Sequence, residues 1–159
     1  MNPPVGLEMI TRAKEMLVAL GVSFGETPDG LTLVLPTPTG GVLLLSAGEV
    51  DDAAGEMWPV SMIDVPLMTN VDPASLPPGL IARLNDQIVI GKVCIDQRDN
   101  TLTLRHEVVG WPGPAEWRVS IQALIGHAER MPPMLSNAVA GTPPPSYEDL
   151  LRAGARRVA

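Results

Sequence analysis

Aromatic side chains are scarce in this chain: three Trp, one Tyr and one Phe make up 3% of it. Basic residues are outnumbered too, with 11 Lys and Arg against 18 Asp and Glu, a net charge of -7 and a pI near 4.7. A nucleic-acid surface takes affinity from basic patches and base contacts from stacking rings, so both shortages argue against nucleic acid as a partner. Cysteine occurs once, as Cys94, which excludes an intramolecular disulfide and a cysteine-rich zinc site. No apolar run approaches the roughly 20 residues that span a bilayer. The first residues, MNPPVGLEMITRAKEM, also lack a basic leader followed by an apolar core. The expectation is a cytoplasmic protein without a membrane partner. GxGxxG and GxxxxGK[ST] phosphate loops are absent, and Ser46 and Ser120 lack the context of a nucleophile elbow.

The 159 residues, 45% hydrophobic and 18% charged, suit one globular domain. A chain of this size buries roughly 70% of the surface its unfolded form exposes, enough for one core. Its plainest architecture lies between Leu80 and Val108. Leu80, Ile81, Leu84 and Ile88 share one stripe of a helix, with Arg83, Asn85, Asp86 and Gln87 on the other side. Beyond Gly91 the period drops to two, so Val93 and Ile95 face one way and Lys92, Cys94 and Asp96 the other. Gln97 to Asn100 is a polar turn, after which Leu102, Leu104, His106 and Val108 alternate with Thr101, Thr103, Arg105 and Glu107. This is an antiparallel hairpin with one apolar face.

Upstream, Val5, Met9, Ala13, Met16, Leu17 and Leu20 define a first helix that opens at Pro3 and Pro4 and stops at Gly21. Val22 to Phe24 has the character of a short strand. Turns at Asp29-Gly30 and at Pro38 to Gly41 then bracket LTLVLPT and deliver VLLLSAGEV, apolar enough to be central in a sheet. Glu49 to Glu56, EVDDAAGE, gathers carboxylates without the ligand spacing of a calcium loop, so it reads as a solvated hairpin turn. Met57 to Val71 is a third strand. Pro59 and Pro66 should bulge or break it, and they make it a candidate sheet edge. After the hairpin a helix beginning near Pro114 carries Trp117, Ile121, Leu124, Ile125 and Ala128. Pro132 and Pro133 end or kink it, and Met134 to Val139 continues as a helical extension. The order is α-β-β-β-α-β-β-α.

Residues 142–159 read as a proline-rich tether followed by a short helix. Ser146 caps that helix with Asp149 in the capping-box position, Glu148 and Asp149 near its positive start, and Arg152, Arg156 and Arg157 toward its end. Helices below about 12 to 15 residues are marginal in water, so this one must dock through Leu150 and Leu151 or fray; a mobile arm is expected. PPSY fits a WW-domain ligand pattern and is read as chance.

LIARLND, followed by IGKVCIDQRDNTLTLRHEV and a helix starting near Pro114, resembles the YbjN-like family of bacterial sensory-transduction regulators. That family is similar in fold to the type III secretion chaperones. For residues 1–141 the resemblance therefore implies an α+β domain with a twisted, antiparallel five-stranded sheet and helices mainly on one face. It carries over no catalytic, cofactor or metal-binding residue.

Cys94, His106 and His127 have the chemistry of a Cys-His pair or a three-ligand metal site. The strand alternation, however, sends Cys94 and His106 to opposite faces. His106 reads as a partly buried histidine and His127 as a helix-surface one. Methionine is the more informative residue. Met9 and Met16 belong to the first helix's core stripe, whereas Met57, Met62 and Met68, with Trp58, lie on the proline-interrupted strand where an extended peptide could be received. Met57, Trp58, Met62, Met68, Leu150 and Leu151 are thus the candidate protein-binding residues. The expected function is a non-enzymatic protein-binding or regulatory domain that pairs as a homodimer. The alternatives are a dedicated type III secretion chaperone or export factor, and a small-molecule sensor or cryptic enzyme.

Overall fold

The computed structural model describes residues 4–131, 135 and 138–158. α1 (Val5–Ala19) turns Met9, Ile10, Ala13, Met16 and Leu17 inward, and Gly21 closes it in the left-handed conformation. Four strands follow in meander order: β1 (Phe24–Glu26), β2 (Thr32–Pro36), β3 (Val42–Asp51) and β4 (Met57–Met68). A single 3-10 turn and α2 (Leu80–Asn85) lead into the hairpin of β5 (Lys92–Asp96) and β6 (Thr101–Val109). α3 (Pro114–Arg130) has Pro114 at its start, where a missing N–H costs nothing. A short α4 (Tyr147–Arg152) and β7 (Arg156–Val158) end the described chain. The expected extension over 134–139 falls largely on residues outside the described set.

All strand pairs are antiparallel, and the sheet order is β5-β6-β4-β3-β2-β1-β7. The class is α+β as expected, but the sheet has seven strands rather than five. Of the two additions, three residues each, β1 begins at the last residue of the short strand expected over Val22 to Phe24, and β7 is too short and polar to carry the period-two apolar signal that identifies a strand. β3 is central, as its apolar run implied.

β4 is not the edge its prolines suggested: it is the longest strand and lies between β3 and β6. The Pro59 carbonyl accepts from the Gly110 N–H at 2.8 Å, so the backbone groups of Pro59 face the β6 side, just past the end of β6. Backbone direction alternates along a strand, so Pro66 faces β3, whose ladder with β4 stops at Leu44 opposite Asp64. Pro66 thus lacks its donor where no ladder bond is due, Pro59 lacks one only at the last, singly bonded pair beyond β6, and the register shift between Pro66 and Met68 supplies the expected bulge.

The pleat gives the sheet two faces. Leu33, Leu35, Leu43, Leu45, Ile63, Val65, Val93, Leu102 and Leu104 meet the helices and form the main core. α1 packs on β3 and β4, α3 on β4 and β6, and α2 on β5. Trp117 of α3 is buried, and its indole N–H donates to the Ser61 hydroxyl at 3.4 Å. α2 is shorter than its apolar stripe. At its last residue, the Asn85 amide turns onto the outer edge of β5, accepting from the Val93 N–H at 2.6 Å and donating to the Val93 carbonyl at 3.2 Å. A free edge is a template for pairing, and this side chain occupies it at Val93.

The tail lies on its own domain. Thr142 bridges Thr69, β7 pairs with β1, and Tyr147, Leu150 and Leu151 pack with Val34, Val42 and Leu44 on the face away from the other helices. The capping box forms as expected: Ser146 Oγ accepts from the Asp149 N–H at 3.1 Å, and Asp149 Oδ2 accepts from the Ser146 N–H at 3.0 Å.

Candidate interaction surface

Directly opposed residues of antiparallel strands share a face, so the registers define what the open face presents. Val50 opposes Trp58, Gly48 opposes Val60, Ser46 opposes Met62, and β6 adds Val109 beside Val60 and Glu107 beside Met62. The result is an apolar stripe of Val50, Trp58, Val60, Met62 and Val109 at the end of the sheet nearest the β3–β4 turn. Val109 is 63% exposed, Val50 41% and Trp58 40%. Large apolar groups held on a regular sheet and left in water form a surface that gains free energy when a partner covers it.

The acidic turn sets the position of Trp58. Asp52 accepts from the Ala54 and Glu56 N–H groups at 2.8 and 3.0 Å and from the Trp58 indole N–H at 3.1 Å. These bonds, that of Trp58 foremost, hold its carboxyl below the usual carboxylate range. Of EVDDAAGE, residues 52–56 form the hairpin turn while Glu49, Val50 and Asp51 end β3, and Asp52 fixes the ring.

Further along the open face the chemistry is ionic. Arg105 donates to both Asp64 oxygens at 2.7 and 3.0 Å and to Asp96 at 3.2 Å, while Arg98 forks onto Asp96 at 2.6 and 3.0 Å. Arg98, then Arg105, holds the Asp96 carboxyl far below its ordinary value. A general base at neutral pH needs a pKa near 7, so the shift runs the wrong way for proton transfer. The network's evident role is to tie β4, β6 and β5 together.

Cys94 borders this network, opposite Thr103, and burial pushes its thiol pKa up. His106 opposes Ile63 on the helix face, so the sheet separates it from Cys94, as the alternation implied. His127 is not a surface residue: it is 8% exposed, on the inward stripe of α3 with Trp117, Ser120 and Leu124. Its Nε2 faces the Val89 N–H at 3.4 Å and its Nδ1 lies 2.9 Å from Arg130. Burial first, then the Arg130 charge, lowers its pKa. The three residues do not converge.

Of the candidate binding residues, Trp58 and Met62 belong to the stripe. Met57 is 50% exposed but opposes Asp51 on the other face. Met68 packs against the core, where Gly141 crosses it so closely that an added Cβ would stand 2.6 Å from Met68 Cγ. Leu150 and Leu151, in the tail helix α4, are half-buried against the sheet. Sequence reasoning misses Val50, Val109 and Tyr147. The same alternation that placed Val108 inward puts Val109 outward, so its signal was present.

An apolar groove of about 510 Å³ lies between the end of α3, β4 and residues 139–144, lined by Val65, Leu67, Met68, Ile125, Leu135 and Val139 among others. Glu129 is its one charged residue among those described. Among the described residues, no helix is long and apolar enough to cross a membrane. No family model matches this chain, nor does any curated protein or solved structure.

Proposed function

We propose that this protein is a non-enzymatic binding domain that regulates or escorts a protein partner in the cytoplasm, working as a homodimer. The observation that carries this is the apolar stripe of Val50, Trp58, Val60, Met62 and Val109 on the open face of the sheet, exposed at Val50, Trp58 and Val109. Its composition suits recognition: an amphipathic Trp anchor, an adaptable Met, and valines around them. The resemblance of Leu80 to Val108 to YbjN-like regulators supports a regulatory role over the alternative, a dedicated type III secretion chaperone. A secretion substrate as the bound partner would favour that alternative.

The test is a crosslinker placed at Val50 in the full chain, with captured proteins identified by mass spectrometry, in wild type and in Trp58→Asp and Val109→Asp variants. The same partner should be captured by wild type and lost in both variants while the circular dichroism stays unchanged. Capture that is indifferent to both substitutions would remove the stripe from consideration. A second reading, a small-molecule sensor, draws support from the groove beside α3, whose volume falls within the roughly 300–1,000 Å³ typical of ligand sites.

A further inference from the structure

Charge is spread unevenly along this chain. No Lys or Arg occurs between Lys14 and Arg83, an interval that holds all of β3 and β4 and the carboxylates of Glu49, Asp51, Asp52, Glu56 and Asp64. Arg105 answers Asp64. The other four crowd the β3–β4 tip, and among the described residues none of them pairs with a cation. Glu49 accepts from the Gly6 N–H at 3.1 Å and Asp52 from the Trp58 indole, and neutral donors of this kind leave a carboxylate charged. Each of the four lies within two residues of Val50 or Trp58. With consecutive Cα atoms about 3.8 Å apart, their backbones fall within about 8 Å of the stripe, the Debye length at physiological ionic strength. Strand pairing stops at Ser46 on the β2 side and at Val60 on the β6 side, and residues 49–58 are all exposed. The cations of the β5–β6 hairpin are already matched, Lys92 with Glu107 at 3.8 Å, and Arg98 and Arg105 with Asp96 and Asp64.

We propose that the segment received by the stripe is a basic stretch of a partner protein, whose apolar side chains cover Val50, Trp58 and Val109 while flanking Lys or Arg meet the tip carboxylates. This inference rests on the protein-partner reading and names the chemistry of that partner. Covering the stripe lowers the local dielectric, so a neutral or acidic partner would leave four like charges at a drying surface without compensation. Cations on the partner supply that compensation. They also steer its approach, because association between opposite fields is fast and sensitive to salt. The same field repels nucleic-acid phosphates and anionic lipid, which leaves protein as the occupant.

Two synthetic peptides probe this: a short apolar run flanked on each side by lysines, and the same peptide with glutamates in place of the lysines. Calorimetry on the full chain should show binding of the lysine peptide and none of the glutamate peptide. Raising the salt from about 0.1 M to about 1 M shortens the Debye length from about 10 Å to about 3 Å, and should weaken the lysine peptide roughly tenfold. Glu56→Lys should weaken it roughly fivefold. Glu129→Lys, the same charge change near the end of α3 and beside the groove that Met68 lines, should stay within about twofold of wild type. Trp58→Ser should weaken binding as well, because charge alone does not make the site. Equal binding of both peptides, binding of neither, equal loss in Glu56→Lys and Glu129→Lys, or indifference to Trp58→Ser would each overturn the proposal. The crosslink from Val50 separates it from the reading beneath it. A partner lost in Trp58→Asp whose crosslinked segment lacks Lys and Arg would sink the basic chemistry and leave the protein-partner reading standing, whereas capture indifferent to Trp58→Asp and Val109→Asp would sink both.

Discussion

Toward the helices the sheet presents Leu33, Leu45, Ile63 and Leu104, all fully buried. On the other side the same strands present Val34, Ser46, Met62, Asp64 and Arg105, of which Val34 alone is buried. One face is a largely aliphatic layer under two long helices. The other is divided among an ion-pair network, an exposed apolar stripe and a short tail. Stability therefore resides mainly on the helix face, and the open face is free to serve recognition. Substitutions should separate the two roles. The largest effect belongs to the helix face: Leu45→Ala, at the centre of the middle strand, should cost about 3 kcal/mol, within the roughly 2–5 expected for emptying a Leu site in a packed core. Denaturant unfolding would show it as a lowered midpoint. A loss as small as that of an open-face substitution would break the contrast between the faces.

Next in size is the network of the open face. Arg105→Met leaves Asp64 and Asp96 part-buried without their common partner, and should cost about 2 kcal/mol, less than the roughly 3–5 of a fully buried pair. Because Arg98 and then Arg105 depress the Asp96 pKa in the folded state, that carboxylate contributes stability fully present above its unfolded value of about 4. The contribution is lost as the pH falls below that value. An Asp96→Asn variant should therefore show a shallower loss of stability on acidification than wild type. An unchanged acid profile would mean that other carboxylates govern it.

The helix face was legible because burial there is expressed as period: β2, β3, β5, β6, α1 and α3 all follow apolar repeats, and the Asn100 turn takes the left-handed conformation that its residue type allows. β4 was misplaced as an edge because a sequence shows that a proline lacks a donor but not which side that donor would have faced. β7 is too short for any period to register, and β1 starts at the last residue of the short strand that Val22 to Phe24 suggests. His127 looked exposed because polarity was read ahead of its spacing from Trp117, Ser120 and Leu124. The stripe was half-legible: Trp58 and Met62 stood out by residue type, but Val50 and Val109 become neighbours of that pair only through strand register, which depends on the whole sheet.

The smallest effect, and the sharpest test of how the open face is built, concerns Ser146. Its side chain caps α4, and such caps are worth about 1 kcal/mol. If the tail is a cover held separately from the core, Ser146→Ala should act on the tail alone. Opening of α4 and β7 should become about fivefold more frequent, since 1.4 kcal/mol is a factor of about ten. Hydrogen exchange would report this as reduced protection of the amides of α4 and of the β1–β7 ladder, with the amides of β3 and β4 unchanged. The denaturant midpoint of the whole domain should hardly move. If instead it falls by the full value of the cap, and the β3 and β4 amides lose protection together with those of the tail, then α4 and β7 unfold with the core and the open face has no separable cover.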